Sequence, residues 1–169
     1  IKKYKKKDSR IRLINNRKNL GLQKTLNKGL RASNGRYIAR MDADDFSLPE
    51  RLEMQYNYLE ANPDIFLVGT SAIIMDEERN RLGILRKYDN YKKIKRRLLK
   101  NNCIIHPSIM FRSEGFLYRT KFKASEDYDL YLRLLTEGKR ITSMPGLLIK
   151  YRITKSSFVS TMKNQDFFY

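Results

Sequence analysis

Asp42, Asp44 and Asp45 place three carboxylates within the four residues Asp42-Ala43-Asp44-Asp45. Like charges this close repel, so their joint ionisation at neutral pH is costly unless water, hydrogen-bond donors or a cation offsets it. A hard divalent cation does so, and the loop reads as a site for a metal-bound diphosphate. The plainer reading is a solvated acidic loop whose Asp44 or Asp45 favours the dipole of a following helix. The cluster alone does not separate the two. A second acidic pair, Glu126-Asp127, stands where a helix should open, and alone it needs no more than the taste of helix starts for acidic residues.

The flanks of the first cluster say what positions it. Upstream, Arg36 to Met41 alternates as a strand, with Tyr37, Ala39 and Met41 on one face and Ile38 and Arg40 on the other. Downstream, Ser47-Leu48-Pro49-Glu50 has the spacing of a capping box, which predicts a helix from about Leu48 to Ala61 burying Leu52, Gln55 or Tyr56, and Leu59. Carboxylates at the C-terminal end of a strand and just before a helix lie where open α/β sheets bind ligands.

The remaining elements follow from periodicity and punctuation. Arg10 to Asn15 alternates like a strand. After the Asn19-Leu20-Gly21 turn, Leu22, Leu26 and Leu30 mark a helix that Asn34-Gly35 should stop. Ile65 to Met75 is a continuous apolar strand, and a polar turn leads back into a second strand near Leu82 to Leu85. A basic helix follows, with Tyr91, Ile94 and Leu98 on its apolar side. Ile104 to Arg112 reads as a strand that Pro107 confines to a start or an edge. From Ser125, Tyr128, Tyr131, Leu132 and Leu135 predict a helix ending at Gly138, and Met144-Pro145-Gly146 should precede a last strand, Leu147 to Arg152. Residues 1–155 read as one α/β unit, and the tail from Ser156 to Tyr169 has no clear reading.

Composition narrows the function classes. A chain of 169 residues that is 41% hydrophobic can bury a real core. The single Cys103 rules out an intrachain disulfide and a Cys/His zinc pattern, so a reducing compartment is expected and the thiol should be structural. No apolar run approaches a membrane span and no signal peptide is visible; with its start at Ile1 rather than Met, the chain is expected to be a fragment whose targeting segments are lost. The formal charge of +18 is concentrated in Lys2 to Arg10 and in Arg86 to Lys100. Such runs can meet anionic lipid, nucleic acid or an anionic substrate, or can simply be solvated. No RRM, KH or zinc-finger signature accompanies them, which counts against nucleic acid.

In their order along the chain, the motifs resemble the family 2 glycosyltransferases of GT-A fold. The resemblance rests on Asn19-Leu20-Gly21-Leu22, Tyr37 through Asp45 with Pro49-Glu50-Arg51-Leu52, His106-Pro107-Ser108, Glu126-Asp127-Tyr128-Asp129-Leu130 and Tyr151-Arg152. It implies a Rossmann-like mixed sheet flanked by helices, and inverting transfer of a sugar from a nucleotide-diphosphate sugar to a saccharide or lipid-linked acceptor. The setting it implies is bacterial cell-surface polysaccharide synthesis, on the cytoplasmic side and peripheral to the inner face of the plasma membrane.

By the same resemblance Asp42 and Asp44 match the family's DxD, which meets the donor ribose and the Mn²⁺ or Mg²⁺ on its diphosphate, with Asp45 assisting. Asp127 matches the general base, with Glu126 beside it. Lys24 and Arg40 are candidate diphosphate contacts, and Gly21 belongs to the donor-side turn. His106 reads as well as a buried structural histidine as a ligand.

Two departures stand out. Thr154 occupies the region where relatives often carry a histidine after Tyr-Arg. A front βαβ piece of about 30 residues has no counterpart, which would leave a sheet edge open to a second copy. The competing readings are a basic binding module for nucleic acid or anionic polymer, and an inactive glycosyltransferase remnant.

Overall fold

The computed structural model describes residues 1–87, 89–122 and 125–154, so the tail named above lies outside the described residues. Its centre is the apolar run anticipated from the sequence. Strand β3 (Ile65–Met75) is buried along nearly its whole length, as a strand covered on both faces must be. Three other strands pair with it: β4 (Arg81–Leu85) and β5 (Met110–Arg112) antiparallel, and β6 (Arg140–Arg152) parallel. Beyond β5 lies β1 (Tyr37–Ala39) and beyond β6 lies β2 (Phe46–Ser47), which completes a six-stranded mixed sheet.

Helices cover both faces. Helices α2 (Leu22–Ala32), α4 (Tyr91–Leu98) and α5 (Glu126–Thr136) pack Leu26, Leu30, Ile94, Leu98, Leu130 and Leu134 against Phe66, Phe111 and Ile141. Helix α3 (Arg51–Ala61) closes the other side through Leu59 against Val68, Met110 and Leu148. A short α1 (Lys2–Lys5) lies in the basic start. Cys103 is buried in the first of these clusters, and burial raises its pKa, in keeping with a structural thiol.

Five sequence expectations need correction. Arg10 to Asn15 is extended but forms no strand, because no strand among the described residues pairs with it: Arg10, Arg12 and Ile14 face Tyr37, Ile38 and Ala39 of the sheet-edge strand β1 across a cleft of about 560 Å³. The capping box does not form. Phe46 and Ser47 instead pair with Lys150 and Ile149 of β6, Leu48 N–H donates to Leu148, and α3 starts only at Arg51.

The buried face of α3 keeps the expected Gln55 and Leu59 and departs from expectation at Leu52. Leu52 and Tyr56 are exposed, while Arg51, Gln55 and Leu59 are buried. The strand predicted over Ile104 to Arg112 is reduced to its last residues by a 3-10 turn at His106–Ser108, where Pro107 belongs. Finally, Met144-Pro145-Gly146 does not precede β6 but bulges inside it, shifting its register against β3 around Thr70 to Ala72.

Candidate active site

The acidic loop begins where β1 ends, and buried cations build it. Arg40 is anchored by its N–H to Ile109 O (3.0 Å) and by its own carbonyl, which accepts from Arg51 Nη2 (2.7 Å). Arg51 also donates to Gln55, and Gln55 to the carbonyls of Val68 and Ser108, so this polar face of α3 satisfies backbone that the sheet ends leave open. The buried Arg40 guanidinium then takes both oxygens of Asp42, at 2.8 and 2.6 Å. Such a two-pronged pair fixes the carboxylate plane.

The other two carboxylates are treated differently. Asp45 is buried; its Oδ1 accepts the Arg152 N–H at 2.9 Å, and its Oδ2 has no partner. Burial, with the nearby charges of Asp42 and Asp44, pushes its pKa from 3.8 up to about 6, against the pull of the Arg152 N–H and Arg40. Asp44 is exposed, and its carboxylate makes no hydrogen bond or ion pair among the described residues. The loop is strapped from outside by Arg152, which donates from Nε to Asp44 O (3.0 Å) and from Nη1 to Glu77 O (2.6 Å). Sequence reading placed Arg152 in a matching motif without a role. The signal was there in the acidic loop, whose carbonyls and buried acid need donors.

Asp127 is the second residue of α5 and only partly buried. Its Oδ1 accepts the N–H of Tyr128 (2.8 Å) and its Oδ2 accepts Asn102 Nδ2 (2.7 Å). Glu126 is buried and meets Gln23 Nε2 at 3.4 Å, while that amide also donates to Phe122 O at 2.8 Å. The first turn of α2 therefore rests against the start of α5. Gly21 caps that turn at φ +80°, a conformation that strains any side chain, with its N–H on Asn19 Oδ1 at 2.9 Å. Lys24 is exposed on the same turn and forms no ion pair among the described residues.

Tyr118 lies within electrostatic reach of both acidic stations. Its backbone and that of α2 are joined through Asn27, which accepts the Tyr118 N–H and donates to the Tyr118 carbonyl, each at 2.8 Å. Its hydroxyl bonds His106 Nε2 at 2.7 Å. Burial raises the Tyr118 pKa, and the hydroxyl sits in the fields of Arg40, Asp127, Glu126 and Asp42 together. His106, buried and beside Arg40, is held well below its ordinary pKa and so stays neutral. Its placement is that of a hydrogen-bonded core histidine. Among the described residues no group of three or more His, Cys, Asp or Glu side chains is arranged to cage an ion.

Known proteins share both the sequence pattern and the fold. The sequence model of the family described as Glycosyl transferase family 2 matches residues 1–119. An uncharacterized glycosyltransferase of Methanocaldococcus jannaschii is 37% identical over 99% of this chain and 60% of its own length. The O-antigen biosynthesis glycosyltransferase WbnJ of Escherichia coli is also 37% identical, over 93% of this chain and 63% of its own length. The chain thus spans about six tenths of these relatives. The crystal structure of S. aureus TarS 1-349 in complex with UDP-GlcNAc superposes with a TM-score of 0.61 at 14% identity, covering 83% of this chain and 41% of that one. The mixed, helix-flanked sheet is therefore of the GT-A type. With the family's pattern matched over residues 1–119 and the fold agreeing, the chain belongs to glycosyltransferase family 2.

Proposed function

We propose that the chain is the catalytic part of an inverting glycosyltransferase that moves a sugar from a nucleotide-diphosphate sugar to an acceptor hydroxyl, in surface-polysaccharide assembly. What supports this reading is that the buried Tyr118 hydroxyl, bonded to His106 Nε2, lies within electrostatic reach of Asp127, Glu126 and Asp42 alike. A site that both holds a diphosphate and takes a proton needs that proximity.

In this reading Asp127 accepts the proton of the acceptor hydroxyl, whose oxygen bonds to the anomeric carbon as the bond to the diphosphate breaks and the leaving oxygen keeps the electron pair. Glu126 lines the acceptor side. Asp42, oriented by Arg40, presents its remaining lone pairs to the donor, and Lys24 at the Gly21 turn reaches toward the diphosphate. The carboxylates suit Mg²⁺ or Mn²⁺ of the kind that arrives with a nucleotide, since such ions take one or two protein carboxylates and complete their shell with phosphate and water. Asp44 offers a free carboxylate and Asp45 an unpartnered buried oxygen. When bound there, the ion would offset charge on the departing diphosphate.

On α4, Lys93 and Arg97 pair with Asp89, which leaves Lys92, Arg96 and Lys100 exposed beside Leu99, itself 69% exposed. That stripe supports peripheral seating on an anionic membrane. Binding to phosphatidylglycerol vesicles that survives replacement of Lys92, Arg96 and Lys100 by Gln would remove the stripe from the account.

TarS holds UDP-GlcNAc, so uridine nucleotides head the panel that tests the main reading. The full polypeptide should be stabilised by one nucleoside diphosphate with Mn²⁺, and should release that diphosphate from the matching nucleotide-sugar. A well-folded protein that responds to none of them would refute the assignment.

A further inference from the structure

We infer that Asn102 is a positioning residue for the general base, an inference that rests on the proposed role of Asp127. A carboxylate that must accept a proton along one direction loses effectiveness if its plane can turn about the side-chain axis. In this chain the plane is fixed at both oxygens, by the Tyr128 N–H on Oδ1 and by Asn102 Nδ2 on Oδ2.

The amide itself cannot exchange its ends. Asn102 Oδ1 accepts the N–H of Ile104 at 3.1 Å, which obliges the NH₂ group to face Asp127. Its backbone is equally held. On one side the end of α4 winds into turns, with the N–H groups of Lys100 and Asn101 on Arg97 O at 2.8 and 2.9 Å. On the other, Cys103 and Ile104 are buried in the core. An exposed side chain on such a stem has a fixed aim.

The chemistry of the residue suits the task. A neutral donor orients the carboxylate without placing a full positive charge on it, whereas Asp42 is held by the charged Arg40 guanidinium. Each oxygen of Asp127 carries a single donor, so lone pairs remain for the acceptor hydroxyl. Asn102 thus completes a base that is aimed yet still free to take a proton.

The test uses the full polypeptide and the nucleotide-sugar selected by the panel, with a polyprenyl-diphosphate-linked sugar as acceptor probe and nucleoside diphosphate release as readout. Asn102→Ala should lower kcat on the order of tenfold to a hundredfold, while leaving the donor KM and the nucleotide-induced melting shift unchanged. Asn102→Asp, equal in shape but with an acid in place of the donor, should lower kcat further. In an Asp127→Asn background either change should cost nothing more, because residues acting as a unit are not additive. Wild-type kcat in both Asn102 variants, or an intact kcat with a raised donor KM, would overturn the inference while leaving the Asp127 role standing. Wild-type turnover by Asp127→Asn alone would overturn the role and the inference together.

Discussion

The loop Asp42 to Asp45 and the helix start at Glu126-Asp127 hold the same kind of side chain in opposite electrostatic settings. In the loop, a buried guanidinium claims Asp42, burial raises Asp45, and Asp44 is exposed, its carboxylate unpaired among the described residues. At the helix start, Asp127 is held by a neutral amide and a backbone N–H. The first setting concentrates negative charge that a cation would relieve. The second orients the Asp127 carboxylate at both oxygens with uncharged donors. In the proposed reading, environment more than residue type separates a charge-holding station from a base.

Replacing each acid by its amide should therefore break the two stations in different ways. Asp127→Asn keeps the shape and removes the proton acceptor, so transfer should fall by roughly 10²- to 10⁴-fold while nucleotide binding is unchanged. Initial-rate and thermal-shift measurements on one preparation would check this, and equal turnover would end the assignment.

Asp45→Asn should act mainly on stability and its pH dependence. Because the folded carboxyl holds its proton to about pH 6 against 3.8 as the ordinary value, the folded state binds more protons between those limits. Stability accordingly falls as pH rises from 3.8 to about 6, and the loss persists above, amounting to about 3 kcal/mol at most. The amide should remove that slope and raise the metal-free melting temperature at pH 7. Denaturation curves at pH 4 and pH 7 for the two proteins would show it; a variant with an unchanged slope would contradict the assigned burial effect.

Much of this arrangement was readable from local pattern. The apolar run of β3, the leucine spacing of α2 and the apolar side of α4 have meaning whatever their surroundings. Other features depend on what lies across space. Ser47 could have capped a helix, but β6 offered it a ladder partner. Arg51 looks solvent-facing in sequence, and nothing there shows what Gln55 would bond once buried, yet carbonyls of Arg40, Ile109, Val68 and Ser108 await them. Arg10 to Asn15 has the alternation of a strand without a strand beside it.

The candidate site divides the same way. Asp42, Asp44 and Asp127 stand out as candidates in the sequence because spacing and order mark them. Arg152 and Asn102 were not assigned roles, since a strap across the loop and an aimed amide exist only once distant segments meet.

The most direct test of the division between the stations is thermal unfolding of the full polypeptide with Mn²⁺ and nucleoside diphosphates, run on wild type, Asp44→Ala and Asp127→Asn. At a hundredfold excess over the dissociation constant, the cognate nucleotide should add about 2.7 kcal/mol of stability to wild type and Asp127→Asn, and almost none to Asp44→Ala. A metal-dependent shift that survives in Asp44→Ala, or disappears in Asp127→Asn, would contradict the account.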